Sequence, residues 1–187
     1  MTKLPVLFTL PVLITLHACS GHMAPSEFRK HVEDDKNGFV RTVDAAPFRI
    51  RCLYMPAAYM AVMSFRSDDI PRPEFETREA EFARFDMYRL DITSDDRQEL
   101  AALAEYFAFY MQDETKKIYG TDTLPCAVYQ AEPFDAMAGR QRIEIGFEHR
   151  DAGKDEQVLL RRTPLSAQPV SIPFDRSGIT IPQINLN

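Results

Sequence analysis

The chain has no tryptophan, only seven glycines and only three cysteines among 187 residues. With so little glycine there is no glycine-rich loop to cradle a phosphate. His-Glu-x-x-His, Cys-x-x-Cys and histidine pairs at helical spacing are missing, which leaves zinc chemistry without a ligand set. Gly-x-Ser-x-Gly and Ser-x-x-Lys are missing too, so a serine hydrolase has no nucleophile motif. No basic run offsets the 28 acidic residues, against 22 basic ones, and the formal charge is −6. That balance excludes charge-driven nucleic-acid binding and gains nothing from an anionic bilayer. The longest apolar run, residues 4–16, falls short of the roughly 20 residues that span a membrane, and it carries Pro5 and Pro11. No internal repeat or low-complexity tract occurs.

What the chain does have is bulk for a core. It is 45% hydrophobic and 27% charged, with 13 Phe and 7 Tyr. That suits one folded domain with a sizeable interior and would crowd two.

The apolar run follows Lys3 and ends in Leu16-His17-Ala18-Cys19. A branched apolar residue three places before a cysteine, with a small residue just before it, resembles the lipobox of bacterial lipoproteins. His17 departs from that pattern, which has a small or hydroxyl residue there. The resemblance covers the first nineteen residues and carries no fold. It implies cleavage before Cys19, acylation of that cysteine with palmitate-type chains, and membrane attachment in the cell envelope through the lipid. Ser20, in place of an Asp, points to the outer membrane where the envelope has two. Stable anchoring takes more than one acyl chain, which that pathway supplies. The organisation expected is a signal peptide over 1–18, a lipidated tether over 19–36 and a single β-rich domain over 37–187. An ordinary signal peptide, cut after Ser20, is the alternative.

Lipidation of Cys19 leaves Cys52 and Cys126 as an even pair. Each sits in an apolar alternation that points it inward. Two buried thiols are the expected state, and a Cys52–Cys126 disulfide is the alternative, since an oxidising envelope permits one.

From Gly38 onward the pattern is strand-like. Residues 48–54 alternate with period two, Phe48, Ile50, Cys52 and Tyr54 on one face and Arg49 and Arg51 on the other. Residues 82–92, 124–131, 140–149, 158–162, 170–174 and 179–184 read as further strands. A hairpin is expected between 140–149 and 158–162, and Pro169, Pro173 and Pro182 point to edges. Helices are expected over 57–65 and 96–104, the second opened by Ser94-Asp95-Asp96. Residues 66–81 read as a loop, and the aromatic run 106–111 as a buried strand. The fold class is therefore mainly β, with α+β open: a β-sandwich or small barrel with one or two short helices.

Candidate functional residues are few. Tyr54, Tyr59, Met60 and Met63 form an apolar cluster, read as core or, more sharply, as a Met-rich partner surface. The pairs Asp68-Asp69, Asp95-Asp96, Asp113-Glu114 and Asp155-Glu156 read as solvated charge without calcium-loop spacing. His149, between Glu148 and Arg150, reads as a solvated strand end. No cofactor or metal is expected. The leading reading is a non-enzymatic binding or assembly subunit, anchored in the envelope and joined to an envelope protein partner, with no nucleic acid. A carboxylate-dependent enzyme acting on glycan and a carrier of a small apolar ligand are the alternatives.

Overall fold

The computed structural model describes residues 22–151 and 155–187. The expected signal peptide, residues 1–18, and the expected acylation site Cys19 lie outside the described residues. Strands gather into three sheets, accompanied by six α-helices among the described residues, so the chain is mainly β with a substantial helical part.

The largest sheet is antiparallel: β2 (Val40–Ala45), β3 (Phe48–Met55), β4 (Phe85–Ser94), β8 (Arg140–Glu148) and β7 (Val128–Ala131), side by side in that order. Period two sends Ile50, Cys52 and Tyr54 of β3 to one face, opposite Ile92, Leu90 and Tyr88 of β4. Ile143 and Ile145 of β8 continue those rows. This inner face shares one hydrophobic core with a second antiparallel sheet, ordered β10 (Val170–Phe174), β9 (Glu156–Leu160), β5 (Thr115–Tyr119) and β6 (Asp122–Pro125). Val158, Leu160, Ile172 and Phe174 are its contribution, and all are buried. Each such side chain contributes roughly 1.5–3 kcal/mol by leaving water.

The outer face of the large sheet changes character along its length. Leu53, Met55 and Met87 make one half apolar. A helical layer covers that half, with Phe28 and Val32 from α1 (Pro25–Glu33), Tyr59 and Val62 from α2 (Ala57–Met63) and Phe75 from α3 (Arg72–Phe82). Beyond Leu53 and Met87 the same face turns to arginine, and the helices stop.

A buried group of four charges fastens the two sheets. Lys117 of β5 reaches Asp86 of β4 (Nζ to Oδ2, 2.6 Å) and Glu156 of β9 (3.0 Å). Arg176, in the turn after β10, donates to Glu156 (2.6 Å) and to Asp86 (2.6 Å). Two positive and two negative groups face one another, as burial of ions requires.

Several expectations need correction. Part of the expected tether is folded: β1 (His22–Met23) pairs in parallel with β11 (Gln183–Ile184), and α1 buries Phe28 and Val32 completely. Residues 66–81 are not one loop, because α3 begins at Arg72 with Pro73 in its first turn, where a missing N–H costs nothing. The aromatic run is helical, as α5 (Ala104–Phe109) and α6 (Met111–Glu114), preceded by α4 (Arg97–Ala102). One or two short helices thus understates the α part. β8 and β9 form no hairpin; they belong to different sheets.

Candidate binding site

The uncovered half of the outer face forms an open trough of about 1030 Å³. Register builds it. Thr42, Arg51, Asp91 and Arg142 lie in one cross-strand row, and Asp44, Arg49, Thr93 and Arg140 in the next. Glu33 and Asp35 close one side from the chain around the end of α1, and Met63 adds an apolar corner from α2.

Asp91 is the floor. It is 8% exposed, and four guanidiniums surround its carboxylate. Arg142 Nε donates to Oδ1 at 2.9 Å, Arg140 Nε lies at 3.6 Å, Arg89 Nε at 3.7 Å and Arg51 Nη1 at 3.9 Å. Burial works to lower the Arg142 pKa, but the hydrogen bond and charge of Asp91 carry it above the ordinary guanidinium value. One carboxylate cannot satisfy so many forks. Among the described residues, the buried Nε–H groups of Arg89 and Arg140 find no acceptor.

The remaining acids stand on the rim. Asp44 pairs with Arg49 (2.8 Å), Asp35 with Arg51 (2.8 Å), Glu33 with Arg89 (3.3 Å) and Glu132 with Arg142 (3.9 Å). These carboxylates are 42–72% exposed. Only Asp44–Arg49 has both partners well exposed, and a solvated pair of that kind is worth about 0–1 kcal/mol. The planar guanidinium fork fits a carboxylate or phosphate edge. The trough thus sets several guanidinium forks side by side on one sheet face.

No family model and no curated protein matches the chain. A solved structure of a novel protein of unknown function from Burkholderia pseudomallei is similar over 81% of this chain and 90% of that one, at 12% identity and a TM-score of 0.41.

The residues singled out from sequence do not converge here. Of the expected partner surface, only Met63 reaches the trough, at 46% exposure. Tyr59 is buried and donates its hydroxyl to Glu33 (2.6 Å); Tyr54 is half-buried beneath Arg176; Met60 packs against the helical core. Cys52 and Cys126 are free and buried. Burial pushes both thiols up, Cys126 to about 11 and Cys52 further. Glu156, read as solvated, is buried in the charge cluster. His149 is half-exposed, yet its Nδ1 lies 2.8 Å from buried Asp86. Among the described residues no group of histidine, cysteine and carboxylate side chains is placed to hold a metal. In sequence the arginines of the trough are visible only as the polar half of an alternating strand. What sequence withholds is the register that sets three strands' arginines around Asp91.

Proposed function

We propose that this chain is a lipid-anchored protein of the cell envelope that binds an acidic partner through the arginine trough and does no chemistry on it. The anchor rests on the lipobox-like run ending in Cys19. The binding reading rests on one observation: four guanidiniums share Asp91, and two of their Nε–H donors are buried without an acceptor among the described residues. A buried donor without a partner costs about 1–3 kcal/mol, so more guanidinium is gathered at the trough floor than Asp91 can satisfy. The charged lining suits an acidic group better than an apolar ligand. Asp91, the innermost carboxylate, has its oxygens occupied by arginine, which disfavours a role as proton donor to a glycan.

The test pairs two proteins in pull-down from detergent-solubilised envelope. The wild type should carry acyl mass on Cys19 and capture a partner. Arg49→Glu should weaken or remove the capture while leaving the thermal midpoint close to wild type, because the Arg49 side chain is 68% exposed at the edge of the trough. Capture that survives this reversal would overturn the trough as the binding site. Absence of acyl mass would overturn the anchor.

A further inference from the structure

Folding extends to within three residues of the proposed acylation site, and this fixes which end of the domain meets the bilayer. From the Cα of Cys19 to that of His22 is three residue steps, at most about 11 Å of chain. His22 is then held in β1, which pairs with β11. Asn185 donates to Met23 O (2.8 Å), and the backbone of Asn187 bonds Arg72 and Ile70, so the C-terminal segment locks this end together. His22, Arg72, Phe75, Ile181, Pro182 and Leu186 line a shallow groove there.

We infer that this end, the β1–β11 pair with the start of α3, is the face apposed to the phospholipid surface. The inference rests on the anchor reading above. A long tether would let the domain take any orientation, whereas about 11 Å does not. Ile181 is 46% exposed on this face, an apolar side chain aimed outward at the place the lipid must lie. Charge does not help, because α3 carries four glutamates against two arginines, so the short linker holds the face down. The arginine trough is directed otherwise. Ile181 lines a small cavity with Phe85 and His149, at one end of β4. The 135–140 loop is closed by pairing of Asp135 with Arg140, and Arg140 pairs with Thr93, toward the other end. Eight residues of strand at roughly 3.3 Å each put about 26 Å between those ends. The trough therefore opens at the end remote from the bilayer, where a partner in the aqueous envelope reaches it.

The lack of tryptophan makes the test clean. Ile181→Trp and Met137→Trp, the latter at a side chain 94% exposed in the 135–140 loop, each give one reporter. Each acylated protein is purified from its host, checked for acyl mass on Cys19, and placed in phosphatidylcholine vesicles bearing a nitroxide on the headgroup. Fluorescence of the Ile181→Trp protein should be quenched several-fold more strongly than that of the Met137→Trp protein. Insertion of sixteen Gly and Ser residues after Gly21, a flexible reach of roughly 20–24 Å, should erase most of the difference. Equal quenching of both, stronger quenching of the Met137→Trp protein, or a difference untouched by the insertion would overturn the orientation. So would shielding of the indole at position 181 by concentration-dependent self-association. Missing acyl mass would instead overturn the anchor on which the orientation depends.

Discussion

Lys117 crosses the core between the two sheets to meet Asp86, Nζ to Oδ2 2.6 Å, with both side chains 1% exposed. Sheet-to-sheet contact at this point is ionic in an otherwise apolar interior. Removing one partner of such a pair leaves a buried charge uncompensated. Lys117→Met is expected to cost about 3–5 kcal/mol in urea unfolding. Lys117→Met combined with Asp86→Leu should cost clearly less than the sum of the two single changes.

Asp86 also sets an acid limit. Burial alone would raise its pKa, but the Lys117 hydrogen bond and the charges of Arg176 and Lys117 outweigh it, and the carboxyl lies below its ordinary value. A carboxyl depressed in the folded state stabilises above its unfolded pKa, about 3.9, and loses that contribution as pH falls through the folded value. Stability from this group should be constant near neutrality and decline below about pH 4. Unfolding midpoints across pH 2–7 should show that decline in the wild type, and a shallower one in Asp86→Asn.

Cys52 and Cys126 are both enclosed by the core, and burial disfavours their thiolates. Since the thiolate is the reactive form, native protein at neutral pH should label slowly with a maleimide. Unfolding without reductant should expose two reactive thiols on the domain. Mass spectrometry of the labelled chain decides; no reactive thiol would mean a disulfide.

Gly146 lies on β8 between Met87 of β4 and Val128 of β7. A Cβ placed there would come 2.5 Å from Met87 Sδ and 2.9 Å from Val128 Cβ. The two neighbours meet over the bare backbone. Gly146→Ala should destabilise by about 1–3 kcal/mol through overpacking, and pairing it with Met87→Ala should recover part of the loss. Chemical denaturation of the single and double variants measures both.

Strands with strict alternation are legible in the sequence itself. The patterns at 48–54 and 140–149 mark β3 and β8 to within a residue or so, and 170–174 matches β10, because one buried face imposes period two. The acidic start of α4 is also readable, since Asp96 accepts from the backbone N–H of Gln98 and Glu99. Elements whose burial is not written in their composition escape such a reading. β5 carries Lys116 and Lys117, and only the distant Asp86 and Glu156 make a buried lysine tolerable. α1 and α3 are mostly polar or charged, and a few apolar residues anchor each. Tyr106 and Phe107 suit strand and helix alike, and tertiary packing selects the helix. The trough is illegible for a related reason: Asp91 is remote in sequence from Arg51 and Arg142, and only the pairing order of β3, β4 and β8 joins them.

The β1–β11 pair has a mechanical consequence. Tension on the N-terminal end of the domain is borne first by two paired residues and then by α1, before either large sheet is loaded. Peeling residues 22–37 away would release about 55 Å of chain with β2 to β10 still zipped. The N-terminal segment is thus the first to yield when that end is pulled, and the two large sheets are shielded until it has.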